Sequence, residues 1–183
     1  MPLHIYDPRV LSIDLRFRRS GFAIFEGPGR LLDFGTTSLP TGGVEYVGNR
    51  FSDLLQLSLP AVIVVKRERW EAMMADPQAE PMIESLNDEC ETRRIHIRLL
   101  EKDAVNTTFR NLGCETKAEI AAALARIFPE LVWQLPPKRK AWKSEHPHQS
   151  VFDAIALGMA YWQHETSAMA DSQEEIESHE EGN

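Results

Sequence analysis

The chain has 183 residues, of which 43% are hydrophobic and 26% are charged, and its formal net charge is −8 at pH 7. No apolar stretch approaches the roughly 20 residues that a transmembrane helix needs, which predicts a soluble, globular protein with one sizeable core. The N-terminus lacks the order of a secretory signal, and the two cysteines, Cys90 and Cys114, have no metal-type spacing. We therefore predict a cytoplasmic protein in which both thiols are packing residues.

The negative charge is concentrated near the C-terminus. Of the 28 acidic residues, seven lie in residues 164–183, where there is no Lys or Arg, which leaves 21 acidic and 20 basic residues in the rest of the chain. From about residue 166 onward the sequence is rich in Ser and Glu and nearly free of apolar residues, a composition typical of solvated disorder. We predict one folded domain over residues 1–165 and an acidic disordered tail over residues 166–183.

The first 65 residues predict four strands and a helix. Residues 9–15, 21–25 and 31–38 are predicted strands, and a Gly/Pro turn, EGPGR, separates the second from the third. Short turns between successive strands favour an antiparallel meander. Residues 44–57 then have helical character, and AVIVV at 61–65 is predicted as a fully buried strand.

The remainder of the domain alternates helices with one further strand. Residues 81–94 have helical spacing, residues 95–100 alternate as a strand, and a short segment over 102–110 precedes a helix at 117–128. Ile120, Leu124, Ile127 and Phe128 form one apolar stripe on that helix, and a last helix is predicted over 149–163. Because β-α-β steps favour parallel pairing, we predict an α/β fold: a three-stranded antiparallel meander plus two parallel strands in one mixed five-stranded sheet, with helices on both faces.

One carboxylate, Asp14, lies inside the first predicted strand. Transferring a charged carboxylate from water to apolar surroundings costs several kcal/mol unless it is paired, hydrogen-bonded or coordinated to a metal. Asp14 is therefore the first candidate site residue.

Basic residues cluster near the ends of several predicted elements. A run of charge is usually a solvated surface, so these clusters bind phosphates only if the fold brings them together around the acids. The residues that we predict to contact nucleic acid on this basis are Arg16, Arg18, Arg19, Lys66, Arg67, Lys138, Arg139, Lys140 and Lys143.

Several segments resemble RuvC-type Holliday junction resolvases and their ribonuclease H-like relatives. IDLRFRRSGFAIFEGPGRLLDFGT is similar to the Asp-bearing strand and β-turn-β that open this fold, and AVIVV is similar to its fourth strand. RLLEKDAVNTTFRNLGCETKAEIAAAL resembles the segment that leads into a lysine-bearing helix, here with Lys117, and VFDAIALGMAYW resembles the terminal acid-bearing helix. The resemblance covers roughly residues 10–162 and implies a divergent ribonuclease H-like domain.

The resemblance also implies a chemistry. Such nucleases use two Mg²⁺ or Mn²⁺ ions about 4 Å apart to activate water and stabilise the leaving oxygen, and these hard cations prefer oxygen ligands. It makes Asp14 the central ligand, Asp153 a ligand from the last helix, Glu145 a third metal ligand, and Lys117 a further nucleic-acid contact. It also implies a homodimer, since resolvases act as dimers on two-fold symmetric junctions.

The chain departs from the resolvase pattern at two positions. Lys66 follows the fourth strand where resolvases have Glu, and Ser150 stands where the first acid of the last helix would be. If the strand continued beyond Lys66, Glu68 would point to the same side and would complete the catalytic set. Ser150 and Asp153 also fit an S-x-x-D capping box, so a purely structural role for Asp153 stays open.

We therefore predict a divalent-metal-dependent endonuclease that hydrolyses phosphodiester bonds in structured, branched DNA, which is favoured over RNA. One alternative is a catalytically weakened ribonuclease H-like module that binds nucleic acid or a protein partner. Another is a YqgF-like RNA-processing nuclease. A phosphotransferase of the actin and sugar-kinase type ranks last, because such enzymes need two lobes and this chain has room for one.

Overall fold

The computed structural model describes residues 7–17, 19–38, 44–137, 146 and 148–180, with the backbone alone at residues 38, 44–50 and 169–180. The strands are β1 (Arg9–Asp14), β2 (Arg19–Glu26), β3 (Leu31–Ser38), β4 (Val62–Lys66) and β5 (His96–Leu100). The helices are α1 (Val44–Ser58), α2 (Arg67–Met74), α3 (Glu80–Arg93), α4 (Lys102–Asn111), α5 (Lys117–Ile127) and α6 (Gln149–Glu180), and a 3₁₀ helix spans Pro129–Gln134.

The strands form one sheet in the order β3-β2-β1-β4-β5. Strand β2 pairs with β1 and β3 in antiparallel orientation, whereas β4 pairs with β1 and β5 in parallel orientation. This is the predicted combination of an antiparallel meander with two parallel strands. Strand β1 lies at the centre, so its carboxyl end is flanked by β2 on one side and β4 on the other.

The two-residue period of β1 divides the core into two layers. Val10 packs with α4, α5 and α6 on one face, whereas Leu11 and Ile13 pack with α1 and α3 on the other. Ser12 points to the α6 face, where its hydroxyl donates to the carbonyl of Ala154. By the same alternation Asp14 belongs to the α6 face, and the prediction of helices on both faces is confirmed.

Two local features differ from the sequence-based expectations. Helix α2 was not predicted: it follows Lys66 directly, has no side-chain cap and is too short to show a clear apolar period. The buried stripe of α5 is Ala121, Leu124 and Ala125 and continues to the C-cap residue Phe128, with the i, i+3, i+4, i+7 spacing of one helix face. Ile127 lies off this stripe and is 45% exposed, so the prediction that it belongs to the same apolar stripe as Leu124 and Phe128 was wrong.

Helix α6 continues through Glu180, across most of the segment that the composition predicts as a disordered tail. The segment contains Ala, Gln and Glu, which are good helix formers, and it extends a helix that is already nucleated. The division into a domain over 1–165 and a tail stays a prediction. No helix in the described part of the chain has both the length and the apolar character of a membrane span.

Candidate functional site

The carboxyl ends of β1 and β4 bring Asp14 and Lys66 together. Val65 pairs with Ile13, so Asp14 and Lys66 each follow one residue later on parallel neighbours, and their side chains point to the same face. Lys66 Nζ lies 3.4 Å from Asp14 Oδ1, and Arg16 Nε donates to Asp14 Oδ2 at 2.5 Å. The Asp14 side chain is only 2% exposed. The buried carboxylate therefore has the charged partners that its burial requires.

Helix α6 brings a second carboxylate, Asp153, to the same place. Arg16 Nη2 lies 2.8 Å from Asp153 Oδ2, and Lys117 Nζ lies 3.0 Å from the same oxygen. Gln149 Nε2 donates to the other oxygen, Asp153 Oδ1, at 3.0 Å. Since Arg16 contacts both acids, one guanidinium group connects the end of the first strand with the start of the last helix.

The absence of a side chain at Gly21 lets α6 approach the sheet closely. Gly21 pairs with Asp14 across β1 and β2, and a Cβ atom at Gly21 would lie 1.9 Å from the backbone oxygen of Ser150. Any other residue here would force the first turn of α6 outward. Gly21 therefore helps to set the separation between Asp14 and Asp153.

A second close approach lies at Gly158, five residues beyond Asp153 on α6. A Cβ atom at Gly158 would lie 2.3 Å from the ring of Phe25 and 2.9 Å from Ser12 Oγ. The Ser12 hydroxyl donates to the carbonyl oxygen of Ala154 at 2.8 Å. Small residues on both elements and one buried hydrogen bond thus hold α6 against β1 and β2.

The helix-cap interpretation of Asp153 is not supported. Helix α6 begins at Gln149, so Ser150 lies within the helix and is not its N-cap residue. The carboxylate of Asp153 instead accepts hydrogen bonds from the side chains of Gln149, Arg16 and Lys117.

Glu68 lies apart from this pair of acids. Strand β4 ends at Lys66 and the chain turns into α2, which places Glu68, an exposed residue, in the first helical turn. Glu68 would point to the same side as Lys66 only if the strand continued, and the strand ends at Lys66 instead. The described residues contain no group of three or more His, Cys, Asp and Glu side chains that could hold a metal ion.

The predicted basic contacts divide into those at the acid pair and those elsewhere. Arg16, Lys66 and Lys117 lie on the two carboxylates, whereas Arg67 forms ion pairs with Glu71 and Glu101. Arg19 begins β2 and is exposed. These contacts with nucleic acid stay predictions. The remaining predicted site residues lie outside the described residues: Glu145, Arg18, Lys138, Arg139, Lys140 and Lys143.

Two features of the site were not anticipated from the sequence. Gln149 orients Asp153, and its signal in the sequence is the i, i+4 spacing of the two residues on one helix. Lys66 was expected to contact nucleic acid, and its pairing with Asp14 follows only from the parallel register of β1 and β4.

The four oxygen atoms of Asp14 and Asp153 each accept a hydrogen bond from a cationic or amide nitrogen. Two carboxylates suit one hard cation, because Mg²⁺ commonly binds one or two carboxylates and completes its octahedron with water and substrate phosphates. The described residues therefore fit a single divalent ion when Arg16 gives way. Among the residues that the structure describes, no third acidic ligand accompanies these two, so this part of the chain does not supply the ligands of a second ion; Glu145 lies outside it.

No protein-family model matches the chain, and no curated protein matches its sequence. The structure is similar to that of RuvC from Thermus thermophilus, with a TM-score of 0.58 and 16% identity over 83% of this chain and 92% of that one. RuvC from T. thermophilus in complex with a Holliday junction substrate gives 0.57 and 15%, over 83% and 91%. The fowlpox virus Holliday junction resolvase gives 0.50 and 15%, over 85% and 98%. The chain therefore has the ribonuclease H-like fold of the RuvC-type resolvases.

Proposed function

We propose that this protein is a divalent-metal-dependent endonuclease that hydrolyses phosphodiester bonds in branched DNA. One observation carries the proposal: Arg16 bonds to both Asp14 and Asp153, so two carboxylates from the first strand and the last helix meet across a single cation. The likeness in fold to a RuvC determined with a Holliday junction supports the choice of substrate.

The residues of the site have separable roles in this proposal. Asp14 and Asp153 would hold a Mg²⁺ or Mn²⁺ ion, which when bound supplies a Lewis acid and a water molecule of lowered pKa. The side chains of Arg16 and Lys117 are 24% and 56% exposed, and in this proposal they turn from the carboxylates to the phosphate oxygens of DNA. An arginine can bond a phosphate with two parallel hydrogen bonds, whereas a lysine acts as a point charge.

A second candidate function is a module that binds branched nucleic acid without cleaving it. The observation that favours it is the charge of the site, in which three cations already occupy the two carboxylates. Lys66 also stands where the resolvase pattern has an acid. In this case the ion pairs would be a permanent structural replacement for metal binding.

Cleavage of labelled four-way junctions in Mg²⁺ or Mn²⁺ tests the proposal. We expect product with the wild-type protein and a loss of at least about 100-fold with Asp14→Asn, because removing a ligand removes several kcal/mol of transition-state stabilisation. Asp33→Asn, the same substitution on the edge strand β3, is the matched control and should cleave normally. Unfolding midpoints of all three proteins separate loss of activity from loss of fold. Wild-type rates with Asp14→Asn would refute the proposal.

The same samples distinguish the second candidate. Junction binding that weakens linearly with salt on logarithmic axes, without cleavage in either metal, would identify a binding module, because phosphate contacts release counterions. Cleavage of a matched RNA junction in preference to the DNA junction would instead identify the RNA-processing alternative. A wild-type protein that neither binds nor cleaves either junction would exclude all three.

A further inference from the structure

We propose that Lys66 replaces one metal ion of a two-metal site, so that Asp14 and Asp153 bind a single divalent cation per chain. The inference rests on the proposed function and deepens it. Its starting point is the contact between Lys66 Nζ and Asp14 Oδ1, which places an ammonium group on the central carboxylate.

Lys66 has the least exposed side chain of the three cations of the site, with Arg16 at 24% and Lys117 at 56%. Its backbone belongs to β4 and pairs with Leu100 in β5, and its side chain is 17% exposed. Arg16 follows the end of β1, and Lys117 is the first residue of α5 and is 56% exposed. Because an ammonium group that is mostly shielded from water needs a counter-charge, Lys66 keeps Asp14 as its partner when Arg16 and Lys117 turn to the substrate.

The charge balance of the described residues favours one ion. With Arg16 and Lys117 turned to phosphates, Asp14, Asp153 and Lys66 together carry −1. One divalent ion changes this to +1, which a single scissile phosphate neutralises. A second ion would add two further positive charges beside Lys66, with no third acidic ligand among the described residues to hold it.

Calorimetric titration of the full chain with Mn²⁺, in the absence of DNA, tests the inference without reference to activity. We expect one ion per wild-type chain and two per Lys66→Glu chain, because the substitution removes a cation and supplies the missing acid. Lys66→Met removes the charge alone and should still bind one ion. The affinity should rise at least about tenfold, because the repulsion between the Lys66 ammonium group and a divalent ion on the same carboxylate is lost, and this repulsion is substantial even at the dielectric constant of water. Arg98→Glu, on the edge strand β5, is the matched control for the charge change and should bind one ion with wild-type affinity.

The outcomes separate the inference from the function on which it rests. Two ions per wild-type chain, or an unchanged Mn²⁺ affinity in Lys66→Met, would overturn the inference and leave the proposed nuclease intact. No binding to the wild type would overturn the inference, and the junction-cleavage assay would then decide the proposed function by itself. If Lys66→Glu does not fold, as its unfolding midpoint will reveal, the Lys66→Met affinity still decides the question.

Discussion

Replacing Gly21 by alanine should separate the two halves of the site by a calculable amount. The new Cβ atom would lie 1.9 Å from the carbonyl oxygen of Ser150, whereas real Cβ contacts are essentially never shorter than 3.0 Å, so the helix must retreat by about 1.1 Å. The obstructing atoms belong to the backbone of α6, which cannot rotate away as a side chain would. Overpacking of this kind typically costs about 1–3 kcal/mol. For a chain of this length each kcal/mol corresponds to about 2–4 °C in the unfolding midpoint.

Gly35→Ala is the matched control for this substitution. Gly35 also lies in a strand of the meander, and its new Cβ atom would meet only the ring of Phe22, at 3.1 Å, which can shift slightly. Thermal unfolding followed by circular dichroism should therefore show a clear loss for Gly21→Ala and little change for Gly35→Ala. The same displacement would carry Asp153 away from Arg16, so Mn²⁺ affinity should fall in Gly21→Ala alone. Equal midpoints for the two variants would refute the argument that Gly21 sets the spacing.

Two further predictions concern other parts of the chain. Thr116→Ala should lower the free energy of unfolding by about 1 kcal/mol in urea titrations, because Thr116 forms a reciprocal capping box with Glu119. Hydrogen bonds from the backbone N–H groups of Glu115 and Thr116 lower the pKa of Glu119. The stabilisation is therefore complete above the ordinary carboxyl pKa and is lost as the pH falls through the lowered value. The difference in free energy of unfolding between the wild type and Glu119→Gln should decrease in acid, and a constant difference would contradict this. Burial raises the pKa of Cys90 to about 11, so its thiol should react with a disulfide reagent at pH 8 about 100-fold more slowly in native than in unfolded protein. Cys114 is also buried, so it too should react more slowly in the native chain. Rapid labelling of the native chain would show that these thiols are accessible.

The sequence predicted the fold and the two central acids, for different reasons. Strand periodicity and short turns were sufficient for the meander, and the position of Asp14 inside an apolar run required charged partners, which the structure contains. Asp153 was found through a family resemblance, because S-x-x-D near the start of a helix is equally typical of a cap. The position of Ser150 inside α6 argues against the cap, and the role of Asp153 as a metal ligand stays a prediction.

The cation arrangement could not be predicted because it depends on which strands are neighbours. Lys66 reaches Asp14 through the parallel register of β1 and β4, which connects residues 52 positions apart in the chain. Glu68 illustrates the opposite case: its expected orientation assumed a longer strand, and the unpredicted helix α2 removed that condition. A short helix without a cap or a clear apolar face leaves little signal in the sequence, so α2 could not be predicted from the pattern of apolar residues.

Helix α6 also bears on the charge with which the chain was first described. At 1.5 Å per residue, Glu165 lies about 18 Å beyond Asp153 along the helix axis, and Glu174 lies about 32 Å beyond it. Both distances exceed the Debye length of about 8 Å at physiological ionic strength, so charges this far along the helix are largely screened from Asp153. An approaching phosphate would therefore respond to the local excess of cations there. The overall charge of −8 therefore affects the solubility of the protein more than it affects the attraction of a phosphate to the two carboxylates and their cations.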